Sequence, residues 1–114
     1  MTGPPPTFEI RESRVGRRLR LSLTGELDLG SAPALDERLA SLRARKRRVS
    51  LDLSGLEFID STGLHLLIRE LGEARAKHWD LRIEPGVSPP VMRLLKLVHI
   101  EHLVFDGEAG TSER

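Results

Sequence analysis

The sequence predicts a two-layer α/β domain: a mixed sheet of four to five strands with helices packed mainly on one face. Three observations carry this expectation. Short stretches alternate apolar and polar residues, the period of a half-buried strand. Other stretches place leucines at i, i+4 and i+7 or at i, i+3, i+4 and i+7, the stripe of an amphipathic helix. Their order is strand, strand, helix, strand, helix, strand, helix. Strands joined through helices pair in parallel with right-handed crossovers, whereas two strands joined by a short glycine turn pair antiparallel. Alternation, rather than continuous apolar runs, leaves one face of the sheet wet.

Each element follows from its residues. Phe8 and Ile10 alternate with Thr7, Glu9 and Arg11, and Leu19, Leu21 and Leu23 alternate with Arg18, Arg20, Ser22 and Thr24. Gly16 between them suits a hairpin turn. Gly25-Glu26-Leu27-Asp28-Leu29-Gly30 breaks the alternation between two glycines and is expected to be a loop. Ser31 is then the N-cap of a helix, with Pro33 in its first turn, Asp36 and Glu37 near that end, and Leu35, Leu39 and Leu42 on one face as far as Arg45. Val49, Leu51 and Leu53 make a third strand that Ser54-Gly55 ends. A second helix carries Leu64, Leu67, Ile68 and Leu71 on one face and runs to about Lys77. Leu81 and Ile83 flank Arg82 in a short fourth strand, closed by Pro85-Gly86. Pro89 and Pro90 open a third helix with Val91, Leu94, Leu95 and Val98 on its apolar face. Ile100, Leu103, Val104 and Phe105 are the candidate for a fifth, edge strand. The expected organisation is a disordered lead-in over 1–6, one domain over 7–106 and a frayed polar tail over 107–114.

Composition narrows the function classes. The chain has 114 residues, a net charge of +1 and 0 cysteines. One domain of this size supports a core without staples. Disulfides, thiolate metal sites and cysteine nucleophiles are excluded. No apolar run reaches the roughly 18 residues of a membrane span, and Met1-Thr2-Gly3-Pro4-Pro5-Pro6 has no signal-peptide pattern, so membrane insertion is not expected and a cytoplasmic location is. Arg43, Arg45, Lys46, Arg47 and Arg48 form a basic cluster, read as cations that complement a helix C-terminus and then solvate a turn. With 4% aromatic residues and no reading helix, nucleic acid is not an expected partner.

The chemistry gathers at Asp60-Ser61-Thr62-Gly63-Leu64, where a loop turns into the second helix. Asp60 is a natural N-cap, Ser61 the first helical residue, and Gly63 lets another backbone come close. A serine and a threonine opening a helix are common in any protein. The residues alone support an exposed hydroxyl at a helix N-terminus. A nucleophile with His65 one turn later lacks the G-x-S-x-G elbow. His99 and His102 have metal-pair spacing without a third ligand, and Asp28, Asp52 and Asp60 are the nearest approach to a magnesium set, although Asp52 fits a solvent-facing strand position as well. No catalytic, cofactor or metal residue is therefore assigned.

The run from Leu51 to Leu64, Leu-Asp-Leu-Ser-Gly-Leu-Glu-Phe-Ile-Asp-Ser-Thr-Gly-Leu, resembles the signature of STAS domains, specifically the bacterial anti-sigma factor antagonists. Gly25-Glu26-Leu27-Asp28 matches upstream, and the element order from Phe8 to about Phe105 follows the family. The resemblance implies a STAS-like fold and a protein that binds an anti-sigma factor with serine kinase activity, releasing a sigma factor. It implies phosphorylation of Ser61 with ATP bound by that kinase, loss of binding in the phosphorylated form, and resetting by a serine phosphatase. It places Asp60, Ser61, Thr62, Gly63 and Leu64 in a partner-facing patch, with Asp28 near the serine. A further helix often closes family members; the short, glycine-rich stretch after Phe105 is not expected to form one. The alternative within the family is a scaffold or accessory subunit of a stressosome-like or lipid-transport assembly.

Overall fold

The structure, a computed structural model, describes residues 8–97. The order of elements is β1 (Phe8–Val15), β2 (Arg18–Leu27), α1 (Ala32–Ala44), β3 (Val49–Ile59), α2 (Ser61–Ala76), β4 (Leu81–Ile83) and α3 (Pro89–Leu97). The strands form one mixed sheet in the order β1-β2-β3-β4. β1 and β2 are an antiparallel hairpin around Gly16, whose φ is 62°, and β2, β3 and β4 are parallel, as their helical connections require. The candidate fifth strand at 100–105, Val98, His99, His102, the lead-in over 1–6 and the tail over 107–114 all lie outside the described residues.

One sheet face is leucine. Leu19, Leu21 and Leu23 stand beside Val49, Leu51 and Leu53 and bury against Leu35, Leu39 and Leu42 of α1, Leu64 and Leu67 of α2, and Val91 and Leu95 of α3. The opposite face is polar. Arg18 donates to Asp80 and to the Ser50 hydroxyl, both at 2.8 Å; Arg20 pairs with Glu84 at 2.8 Å, and Ser22 donates to Asp52 at 3.3 Å. Burial alone would raise the Asp52 carboxyl, but the Ser54 amide, the hydroxyls of Ser54 and Ser22, and nearby Arg20 together hold it below its ordinary range.

Several expectations need correction. Gly25-Glu26-Leu27 is strand, not loop: it completes β2, pairing with Leu56, Phe58 and Ile59 across register shifts. Gly25 takes the positive φ of 89° within this irregularity, which glycine tolerates without the steric cost of a Cβ. β3 likewise runs past Ser54-Gly55 to Ile59. Finally, Ser31 is the N-cap residue of α1 as expected, but its hydroxyl makes no capping bond to the first turn. It donates to the Glu26 carbonyl at 2.7 Å and accepts from the Asp28 amide at 2.9 Å, fastening the turn before the helix. Asp36 lies beyond the first turn of α1 and pairs with Arg69 of α2 at 2.8 Å instead of serving the N-terminus.

Candidate functional site

The parallel strands β2 and β3 end side by side, Leu27 opposite Ile59. Two turns leave from there, Asp28–Ser31 into α1 and Asp60 into α2. In the first, one carboxylate oxygen of Asp28 accepts from the Gly30 amide at 3.0 Å and the Ser31 amide at 3.1 Å, a local turn built on its own side chain. In the second, Asp60 caps α2: its Oδ1 accepts from the Gly63 amide at 2.9 Å. Its Oδ2 reaches across to accept from the Leu29 amide at 3.1 Å, and its own amide donates to the Leu27 carbonyl at 3.1 Å. One aspartate therefore joins both turns.

Gly63 sets how closely α2 approaches the sheet. A Cβ there would lie 2.6 Å from the Leu27 carbonyl oxygen and 2.8 Å from Leu27 Cγ. Only glycine fits while the helix start rests on the end of β2. The consequence is that Ser61, the first residue of α2, projects from a start fixed by backbone contact and by the Asp60 cap.

The residues singled out in the sequence divide into two groups. Ser61 is exposed, with Thr62, Asp28 and Asp60 half-buried around it. Gly63 and Leu64 are buried, Leu64 at 8% exposure within the core. The structure therefore sets both beneath the surface that carries Ser61, not on it. Leu64 lies on the same helical face as Leu67, the period that sends it inward. Among the described residues no group of three or more histidines, cysteines or carboxylates is placed to hold a metal ion. No helix there is long and apolar enough to cross a membrane.

Comparison with known proteins fits this geometry. The family model described as Mlab, STAS domain, matches residues 10–105. The chain belongs to the STAS domain family. An anti-sigma-B factor antagonist of Staphylococcus aureus is 31% identical over 90 residues, 78% of this chain and 82% of that protein. The anti-sigma-B factor antagonist of Bacillus subtilis is 24% identical over 86 residues, 75% of this chain and 78% of that protein. Among solved structures, an anti-sigma factor antagonist from Mycobacterium paratuberculosis superimposes with a TM-score of 0.72 at 24% identity, over 91% of this chain and 87% of that one. The Bacillus cell fate determinant SpoIIAA in its phosphorylated form gives 0.64 at 18% identity, over 82% and 86%. These structural likenesses speak for the fold.

In this STAS domain the surface around Ser61 also holds two apolar side chains outside the stretch Asp60–Leu64. Leu29 is 72% exposed beside Asp60, and Phe58 is 48% exposed two residues before it. Phe58 pairs with Glu26 on the polar side of the sheet, while its neighbour Ile59 pairs with buried Leu27. A groove of about 330 Å³ between α1 and α2 starts at Leu29 and Thr62 and is walled by Pro33, His65, Leu66 and Arg69. The signal for Phe58 was available: adjacent Phe58 and Ile59 in a strand cannot both face one core. Leu29 carried no such signal, since its exposure follows from where Asp60 holds its backbone. The arrangement offers a rigid hydroxyl, two exposed apolar side chains and an open groove, a set suited to recognising another protein surface.

Proposed function

We propose that this STAS domain is an anti-sigma factor antagonist, cytoplasmic and without a cofactor of its own, that binds an anti-sigma factor kinase and is switched off by phosphorylation at Ser61. The observation that carries the reading is the exposed Ser61 at the start of α2, on a backbone held by the Asp60 cap and by Gly63 against Leu27. The antagonists among its relatives support the same reading, as does the existence of SpoIIAA in a phosphorylated form. Ser61 acts as an acceptor of phosphate from the partner's ATP rather than as a nucleophile of an enzyme; exposed His65 serves the interface and is no general base.

The physics of the switch follows from the site. A phosphoserine adds about 1.5 to 2 negative charges at neutral pH. At a helix N-terminus that charge is favourable by roughly 0.3 to 2 kcal/mol, and neighbouring Asp60 offsets part of this by repulsion. The fold therefore tolerates the phosphate. Both Asp60 oxygens already accept backbone amides, so the phosphate has no reason to displace the cap. The cost falls on the complex. A dianion enclosed without a cation lowers affinity by several kcal/mol, and about 3 kcal/mol exceeds 100-fold.

The deciding experiment incubates the protein with its candidate anti-sigma kinase and ATP. One added phosphate is expected, absent in Ser61→Ala, with affinity for the kinase falling more than about 100-fold and the amide spectrum changing only near α2. Modification at Thr62 instead, no modification at all, or spectral changes throughout the domain would refute the switch and favour a scaffold role.

A further inference from the structure

The end of the sheet opposite Ser61 gathers three turns: Gly16-Arg17 between β1 and β2, Arg45–Arg48 between α1 and β3, and Lys77–Asp80 between α2 and β4. Backbone and side-chain bonds fasten them into one surface. The Leu19 amide donates to the Arg48 carbonyl at 2.8 Å, the Val49 amide to Asp80 at 3.0 Å, and Trp79 Nε1 to the Arg47 carbonyl at 2.7 Å. Arg17, Arg45, Lys46, Arg48 and His78 are exposed on it. None of the ion pairs among the described residues uses Arg17, Arg45, Lys46 or Arg48.

Lys46 and His78 hold equivalent positions. Each follows the C-cap of its helix with a left-handed backbone, φ 55° and 56°. Each helix closes with the same pair of bonds: Arg47 to Leu42 at 3.0 Å and Lys46 to Arg43 at 3.0 Å for α1, Trp79 to Ala74 at 2.8 Å and His78 to Arg75 at 3.4 Å for α2. Glycine is the residue such a closure favours, because a Cβ strains it. Both helices carry a basic side chain there instead, against local stability. At the tip of the β1-β2 hairpin, at the same end of the sheet, Val15 is 44% exposed, an apolar side chain between Arg14 and the Gly16-Arg17 turn.

We propose that this end of the domain docks on an anionic lipid surface, with lipid phosphates as the ligands of the free cations and Val15 at headgroup level. A lipid surface accounts for the apolar tip among cations, and the charges lie on three turns rather than on a helix or ribbon that fits a duplex groove. The net charge of +1 conceals the asymmetry: Glu26, Asp28, Glu57 and Asp60 stand at the Ser61 end. The domain therefore docks with Ser61 facing away from the lipid. From Arg18 to Leu27 is nine strand steps, about 30 Å at roughly 3.3 Å each. That is several times the ~8 Å screening length at physiological salt, so docking does not depend on the state of Ser61.

Flotation with vesicles of equal parts phosphatidylglycerol and phosphatidylcholine tests this, with pure phosphatidylcholine vesicles as the reference. Binding is expected to the anionic vesicles only and weakens as salt rises from about 25 mM toward physiological strength. Arg45→Glu with Arg48→Glu lowers the partition coefficient by roughly tenfold or more, and Lys46→Gly by several-fold, about fivefold per basic side chain lost. Lys46→Gly also raises the Tm by relieving its backbone, so its weaker binding is not a loss of folding. Ser61→Asp binds vesicles as the parent does. The proposal is overturned by absent binding to anionic vesicles at low salt, by equal binding to neutral vesicles, or by an unchanged partition in the double variant. Retention on duplex DNA without vesicle binding would assign the end to nucleic acid and overturn it too.

Discussion

The two ends of the sheet are built from the same parts, a pair of turns joining parallel strands to helices, yet they constrain sequence in opposite ways. At the Ser61 end the backbone of α2 rests on β2, and a single methyl group has no room at Gly63. At the basic end two helices close through positions where glycine is preferred, and both carry large side chains, Lys46 and His78. The fold dictates residues at the first end and merely tolerates them at the second. Identity at the first end is therefore weak evidence of function and geometry is the better guide, as buried Leu64 shows. Identity at the second end is not explained by folding, which makes its charges informative.

The largest expected effect tests this contrast directly. Gly63→Ala places a Cβ against the Leu27 carbonyl and should destabilise by about 2 to 3 kcal/mol, the upper part of the overpacking range. Gly72→Ala, in the same helix with open space around it, should stabilise by up to about 1 kcal/mol through helix propensity. Urea unfolding of the two variants checks both. Equal effects of the same sign would show that Gly63 is a helix-propensity defect and not a contact, and the contrast between the ends would collapse.

A smaller effect sharpens the role of the cap. Asp60→Ala removes the acceptor of the Gly63 and Leu29 amides and should lower stability by about 1 to 2 kcal/mol. Asp60→Asn keeps one carbonyl oxygen and should recover part of that. Amide exchange gives the more specific readout: protection falls at both Leu29 and Gly63 in Asp60→Ala. A loss confined to Gly63 would mean that Asp60 caps its helix without joining the two turns.

Much of this was legible in the residues. The leucines of α1 and the alternating strands named the core correctly, because burial on one face imposes its period on the sequence. The cap at Asp60 and the close approach at Gly63 also follow from local chemistry. The misreading of Gly25-Glu26-Leu27 as loop has a physical source. Glycine punctuates loops and irregular strand positions alike, and the two are told apart only by a partner strand far away in sequence, here Leu56 to Ile59. Leu64 belongs to the motif, yet its helical period turns it inward, where it is buried. The basic run was visible as charge, but not that Lys46 and His78 share one strained geometry, since a backbone dihedral is not written in composition.

The smallest effect concerns how each end holds its carboxylate. Asp60 is satisfied by backbone amides, whereas Asp80 at the basic end is satisfied by Arg18 at 2.8 Å, with Arg82 adding a second contact at 3.0 Å. The hydrogen bond from Arg18 holds the Asp80 carboxyl below its ordinary value, against some desolvation. A carboxyl with a lowered folded-state value stabilises the protein above its unfolded value, near pH 3.9, and loses that stabilisation as pH falls through the folded value. Because the pair is partly exposed to solvent, its worth is about 0.5 to 1 kcal/mol rather than that of a buried pair. Asp80→Asn should therefore be less stable than the parent by that amount at neutral pH. The difference should shrink below about pH 4 and vanish once the parent's carboxyl is protonated. Thermal unfolding across this range, at low and high salt, measures it. A difference that persists in acid would mean that Asp80 acts through packing, and the basic end would then hold its turns by shape, as the Ser61 end does.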